Sequence, residues 1–445
     1  MIEVNSLVAL FLGLALLLLL ILRFRLPAFL SLLISTIAIG LLLGLKAEAI
    51  FQIIEKGMGG TLGYVATIVG LGAIFGSLLE ITGSAEALSR FLLERFGLKN
   101  ASWTMLFSGF IIAIPVFFDV AFILLVPLLY SLQQRTRKSL LYFALPLLAG
   151  LAVTHAFIPP TPGPIAVASI LGADLGMVIL VGFLVGMPAA IVSGIFYGRY
   201  ISTKIFIAVE GEISQEQCLN YPSIIKILAI VFVPIVLIVL AALAKLEVWP
   251  MTEDLKRVIA FIGHPFAALI LANLLAWIFL GLGENHSKQS LLKVATKSME
   301  PAGTIILLTG AGGVLKQLLI DSSIGLEIAE GFARADLSIF VVAFSVAALV
   351  RVLQGSSTVA MITAASIVAP LATDASYSSF ALALITVAIA SGASVFSHVN
   401  DSGFWLVSQY LKLNEHQTYR SWTMMTTVLG LTGLIVVLLL SLLVS

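Results

Sequence analysis

Charge is scarce in this chain. Only 11% of its residues are Asp, Glu, Lys or Arg, and 24 basic against 23 acidic residues leave a formal net charge of +1. So even a balance excludes the basic footprint of nucleic-acid binding, and no nucleic-acid partner is expected. Cysteine is scarcer still. Cys218 stands alone, which excludes an intrachain disulfide and leaves the redox compartment unmarked. A separate soluble domain is missing as well: the longest polar stretch, about 206–221 ("FIAVEGEISQEQCLNY"), is too short to bury a core of its own. No G-x-S-x-G nucleophile motif occurs.

Apolar sequence fills the space. Hydrophobic residues make up 60% of the chain and the mean hydropathy is +1.13, which places it in the membrane class. Runs near 5–22, 26–45, 176–196, 224–243, 258–281 and 422–444 are long enough to cross a hydrocarbon core of ~30 Å. The first run follows Met1-Ile2-Glu3 with no basic residue before it, and Arg23 and Arg25 come after it. It is therefore expected to be a span rather than a cleaved leader.

Basic residues mark the cytoplasmic side. Clusters at Arg23/Arg25, Arg90/Arg95/Lys99, Arg135/Arg137/Lys138, Arg199/Lys204, Lys288/Lys293/Lys297 and Lys412/Arg420 can all lie inside if the N-terminus is outside. That placement makes residues about 101–130, apolar but flanked by basic clusters and broken at Pro115, a re-entrant hairpin. Residues about 139–171, interrupted by "PPTPGP" (159–164), become a broken helix. The second half repeats the plan upside down, with a hairpin at about 337–370 and a broken helix at about 378–413. "TIVGLGAIFGSLLEIT" (67–82) reads weakly against "LTGAGGVLKQLLIDS" (308–322), and the same offset brings His155 near His398. The expected fold is an all-α polytopic membrane protein: an inverted-topology repeat with two re-entrant hairpins and two broken transmembrane helices. Residues 1–205 form the first repeat, 206–221 a cytoplasmic linker and 222–445 the second repeat.

Broken helices free backbone groups that must be satisfied inside protein or a wet cavity. The four interruptions are therefore expected to meet at one site, where helix N-termini favour an anion. Asp119 stands among apolar neighbours in "IPVFFDVAFILL". A bare carboxylate at the centre of a span costs about 3 kcal/mol on insertion scales, and protonation removes that cost. Asp119 thus reads as a proton carrier or as a neutral structural acid. Arg351 either attracts an anionic substrate or pairs with Asp119 or Asp401. Gly355, Ser356, Ser357 and Thr358, after Gln354, offer close backbone approach and three small hydroxyls at a helix start. These suit a substrate carboxylate. Thr154, His155, Asn400 and Ser402 are the candidates for substrate hydroxyls. His155, His398 and Asp401 are alternative proton-coupling groups, although Asp401 could equally cap the helix that begins at Ser402. Trp249 and the Tyr419–Trp422 run read as interfacial anchors. His264 reads as a loop or helix-start residue.

Four motifs carry a resemblance: "VFFDVAFILLVPL" (116–128), "THAFIPPTPGP" (154–164), "QGSSTVAMITAA" (354–365) and "HVNDSGFW" (398–405). In order and spacing, over nearly the whole chain, these residues resemble the gluconate permease (GntP) family. The resemblance implies proton-coupled uptake of gluconate or a similar small hydroxy acid across a bacterial inner membrane. It also implies kinship with the ion-transporter superfamily, whose members are dimers moving by an elevator. Two positions depart from the family pattern: Asp119 stands where Glu is common, and Thr161 where His is common. These departures leave glycerate and D-serine open as alternatives to gluconate.

The expected activity is therefore symport with H+, no resident cofactor or metal, and a homodimer bathed in membrane lipid. Sodium coupling stays open, since carbonyls and Asp401 could hold that ion. Two other classes are weighed against it: an intramembrane hydrolase built on Ser356 or Ser357 with His398, and a passive channel that needs no titrating group.

Overall fold

The computed structural model describes residues 6–84, 87–88, 91, 95, 97–114, 118–208, 222–245, 252–284, 286–322, 338–374, 377–398 and 401–443. Among them there is no β-strand. In chain order α1 is Ser6–Leu22, α2 is Ala28–Leu42 and α3 is Ala47–Ile81. Next come α4 (Ala101–Ile112), α5 (Phe118–Thr136), α6 (Leu141–Phe157), α7 (Pro162–Leu171) and α8 (Leu175–Lys204). The second half holds α9 (Ile224–Lys245), α10 (Glu253–Ile262), α11 (Pro265–Gly281), α12 (Lys288–Lys297) and α13 (Met299–Asp321). It continues with α14 (Ile339–Gln354), α15 (Ser357–Asp374), α16 (Ser379–Ser394), α17 (Ser402–Tyr410) and α18 (Glu415–Ser441).

Among the described residues six helical stretches are long and apolar enough to cross a membrane, and a seventh results if α10 and α11, bent by 61°, count as one span. The second run falls short of the expected length. The 15 residues of α2 reach only ~22 Å at 1.5 Å per residue. The chain turns at Leu43–Gly44, where Gly44 takes φ +74°. By contrast α3 runs for 35 residues.

Two helices form the centre. α6 ("LYFALPLLAGLAVTHAF") and α16 ("SFALALITVAIASGAS") are buried at almost every position, as sequences apolar on all faces require. Each is approached closely by a neighbour through a glycine. A methyl on Gly150 of α6 would overlap the Leu106 carbonyl of α4, and one on Gly392 of α16 would overlap the Phe344 carbonyl of α14. Small residues of this kind let helix backbones touch where lipid gives no hydrophobic drive to association. α3 and α13 pack the same way: a Cβ on Gly57 would come within 2.6 Å of the Val314 Cα.

The helix breaks lie beside this centre. α6 gives way to α7 across Ile158–Thr161, which holds the cis Pro159–Pro160 bond. α14 ends on Gly355, which takes φ +91° and closes the helix with a hydrogen bond to the Arg351 carbonyl (2.8 Å). Ser356 then caps α15, its Oγ accepting from the Val359 N–H (3.3 Å). The chain leaves α16 in extended form at Val395, passes through Phe396 at φ +50°, and re-enters helix at Ser402.

Candidate functional site

A cavity of about 590 Å³ opens where these breaks meet. Four helix beginnings reach its wall: Phe118 and Asp119 in the first described turn of α5, Pro162 of α7, Ser356–Thr358 at α15, and Asp401–Gly403 at α17. The carboxyl-side ends of α6 and α16 arrive through His155, Ala156 and Ser394. The early N–H groups of a helix have no intrahelical acceptor and carry the positive end of its dipole. At α15 the Ser356 N–H turns back to Gln354 Oε1 (3.1 Å) and the Val359 N–H to Ser356 Oγ. Ser357 and Thr358 follow in the first turn of α15 and line the cavity. Helix beginnings gathered at one cavity turn the positive ends of their dipoles towards a shared space.

Charged side chains line that space as well. Arg351, 4% exposed, places Nη2 2.5 Å from Asp401 Oδ2. Among the described residues its buried Nε and Nη1 have no hydrogen-bond partner. Of the roles open to Arg351, pairing is therefore with Asp401 and not with Asp119, and part of the guanidinium has no described partner beside the cavity. Asp401 is also the cap: Oδ1 accepts from the Gly403 N–H (3.0 Å), and Oδ2 accepts from the Ser397 hydroxyl. One carboxylate thus serves as helix cap and counter-ion together. Asp119 differs. Its side chain is exposed to the cavity, and among the described residues it has no hydrogen-bond or ion-pair partner. It lines the same cavity as Arg351 and Asp401.

Phe396 and Ser397, which follow α16, are bonded by α18. Phe396 and Ser397 donate their N–H groups to Thr427 Oγ1 and Thr426 Oγ1 (both 3.3 Å). Thr423 Oγ1 donates to the Ser397 carbonyl (2.5 Å), and Trp422 Nε1 donates to Ser397 Oγ (2.6 Å). This meets the requirement that irregular backbone at membrane depth be bonded within protein.

The site candidates divide clearly. Asp119, His155, Arg351, Gly355, Ser356, Ser357, Thr358, Asp401 and Ser402 all line the cavity. His155 keeps a buried Nδ1 that has no hydrogen-bond partner among the described residues, while the residue remains part of the wall. Thr154 is elsewhere: it is fully buried, and its hydroxyl donates to the Phe110 carbonyl (2.8 Å), tying α6 to α4. His398 also stands off the wall, with Nε2 donating to the Val352 carbonyl (2.9 Å). Ser356 and Ser357 therefore have no histidine from that position within the cavity. Thr161 is 5% exposed and its hydroxyl donates to the Ile158 carbonyl (2.6 Å), so of the two positions that depart from the family pattern Thr161 lies behind the wall and Asp119 on it. Asn400 lies outside the described residues.

Sequence reading missed the α18 side of the site. Trp422, expected at an interface, is 4% exposed and lines the cavity with Thr426 and Leu429. The available signal was the hydroxyl face Thr423, Thr426, Thr427, an i, i+3, i+4 stripe in an otherwise apolar helix. His264, in contrast, sits at a helix start as expected and accepts from the Phe266 N–H (3.3 Å).

Comparison with known proteins places this architecture. A family model described as "GntP family permease" matches residues 5–443. The chain is 37% identical over 423 residues to a low-affinity gluconate transporter of Escherichia coli (strain K12), with 95% of each chain covered. It is 36% identical over 431 residues to a gluconate permease of Pseudomonas aeruginosa, covering 96% of this chain and 95% of that one. The Gnt-II system L-idonate transporter of Escherichia coli (strain K12) is 34% identical over 431 residues, with coverages of 96% and 97%. Among solved structures, the Alcanivorax borkumensis YdaH transporter matches with a TM-score of 0.64 at 15% identity, over 89% of this chain and 90% of that one. Neisseria gonorrhoeae MtrF gives 0.60 at 14%, over 88% and 84%; at such identities the likeness concerns the fold alone. With a family match across almost its whole length and helices able to cross a bilayer several times, the chain belongs to the GntP family of permeases: it is a multi-pass inner-membrane transporter and not an enzyme.

Proposed function

We propose that this permease imports gluconate, or a closely related small hydroxy-carboxylate, together with a proton. The observation that carries the reading is the cavity itself, where four helix beginnings and Arg351, whose Nε and Nη1 have no described partner, face one space with Asp119 open to it. The substrate carboxylate sits against Ser356–Thr358, within the field of Arg351. Its hydroxyls meet His155, Ser402 and, from the sequence reading, Asn400. Gluconate is favoured because the relatives named above transport gluconate or idonate by their names.

Charge accounting supports the proton. Arg351, Asp401 and ionised Asp119 together give the empty cavity a charge of one negative unit. A carboxylate substrate alone would double it, which a moving membrane-embedded site resists. One proton on Asp119 restores the starting value, so empty and loaded carriers move with the same charge. Asp401 is less free for the task, because Arg351, Ser397 and Gly403 already occupy its two oxygens.

The fold reading belongs to the same proposal. Residues 1–205 and 222–445 form an inverted repeat, in which α4–α5 and α14–α15 are re-entrant hairpins beside the broken helices α6–α7 and α16–α17. The parallel glycine contacts of Gly150 on α4 and Gly392 on α14 support this pairing. The hairpins and broken helices move together as an elevator, and the working unit is a homodimer.

Proteoliposomes test the scheme. Wild type should accumulate gluconate above equilibrium under an inward proton gradient, and a protonophore should abolish the gain. Asp119→Asn should keep exchange of external for internal gluconate yet lose accumulation. Full accumulation by Asp119→Asn removes Asp119 from coupling. Accumulation that follows an imposed sodium gradient instead removes the proton, and uptake that never exceeds equilibrium makes the protein a passive channel. Glycerate and D-serine as competitors report on substrate size.

A further inference from the structure

Away from the cavity, a second group of charges collects where α6 begins and α8 ends. The segments there are laced together. Ser139 Oγ donates to the Ile205 carbonyl (2.9 Å), Ile207 N–H donates back to Ser139 Oγ (3.2 Å), and Leu140 N–H donates to the Ile207 carbonyl (2.9 Å). The lacing holds two cations at one ring. Lys138 Nζ lies 4.1 Å from the centre of Tyr142, and the guanidinium carbon of Arg199 lies 5.9 Å from the same centre. Both distances are within cation–π range.

The arrangement is unbalanced. The two cations are no further apart than those distances together, comparable to the screening length of ~8 Å at physiological salt. Both are exposed, and neither has a carboxylate partner among the described residues. Arg137 and Lys204, also exposed, add to the positive potential, and Tyr142 stands in the first turn of α6, where the helix dipole is positive. A tyrosine ring with an electron-rich face relieves part of the repulsion; an anion would relieve the rest.

The neighbouring surface indicates which anion. Phe196, Tyr200 and Phe206 are 61%, 60% and 64% exposed. Phe196 and Tyr200 are four apart on α8 and share a face. Large exposed aromatics beside cations at the end of a membrane helix mark the level of lipid headgroups, and a free inorganic anion would have no use for them. We propose that Lys138 and Arg199, with Tyr142 between them, bind the headgroup of an anionic phospholipid, which Phe196, Tyr200 and Phe206 flank at the headgroup level. The inference does not depend on the substrate or on the proton.

Purified protein in phosphatidylcholine nanodiscs, titrated with phosphatidylglycerol, provides the test. Wild type should show a rise in unfolding temperature, and native mass spectrometry should detect retained phosphatidylglycerol. Lys138→Gln with Arg199→Gln should lose most of the shift and of the retained lipid. Each single change should lose part, and Lys138→Arg with Arg199→Lys should keep both, which separates loss of charge from loss of folding. Arg23→Gln with Arg25→Gln removes the same charge from another exposed basic pair and should keep the shift. Equal loss in that control would overturn the site in favour of diffuse surface attraction. A shift reproduced by inorganic phosphate in neutral nanodiscs would overturn the lipid.

Discussion

Replacing Asp401 by Asn leaves the Arg351 guanidinium buried without its counter-charge. The side chains of the pair are 5% and 13% exposed, and Asp401 is the only described partner of Arg351. Stranding a buried charge in this way costs about 3–5 kcal/mol. Arg351→Met is milder. It strands Asp401, but the Ser397 hydroxyl and Gly403 N–H still bond that carboxylate, so the expected cost is about 2–3 kcal/mol, near that of losing one charge-assisted hydrogen bond. The double variant removes both charges together and should cost no more than Asp401→Asn alone. The coupling between the two positions is then at least about 2 kcal/mol, well beyond the ~0.5 kcal/mol within which independent sites add. Unfolding free energies from SDS titration in mixed micelles measure all three variants on one scale. A double variant whose cost equals the sum of the singles would refute the buried pair.

Backbone positions give two sharper controls. Gly355→Ala places a Cβ at φ +91°, a conformation that costs an L-residue about 1–2 kcal/mol. It should lower thermal stability by that amount and slow uptake more than an alanine elsewhere in α14, because Gly355 sets the aim of Ser356–Thr358. Gly392→Val would drive a side chain into the Phe344 carbonyl; overpacking of this kind costs about 1–3 kcal/mol. It should lower the unfolding temperature, and Gly150→Val should do the same through the Leu106 carbonyl.

The polar breaks were legible because they oppose the solvent around them. "PPTPGP", "QGSST" and "SHVNDSG" interrupt apolar runs, and an interruption that lipid would penalise has to face protein or water. That argument brought Asp119, His155, Arg351, Ser356–Thr358, Asp401 and Ser402 to one cavity without a structure. It did not separate Thr154 from His155. Adjacent helix residues point about 100° apart, and only the position of α4 decides that Thr154 bonds the Phe110 carbonyl while His155 meets the cavity. Trp422 was misplaced for a related reason. A tryptophan near the end of a span and beside Arg420 has the composition of an interfacial anchor, and its actual partner, Ser397, is remote in sequence.

By itself the sequence determined the solvent, the helical class, the places where helices stop and the family. Each of these follows from local composition: apolar length, proline and glycine, and short polar runs that hydrocarbon cannot hold. Tertiary structure decided the pairing. It assigned Arg351 to Asp401 instead of Asp119, made Asp401 both cap and counter-ion, turned His398 to the Val352 carbonyl, and left Asp119 open to the cavity. Hydrogen bonds and ion pairs act over about 3 Å, between atoms that the chain separates by tens of residues, and only the packing of helices such as α6 and α16 brings them within reach.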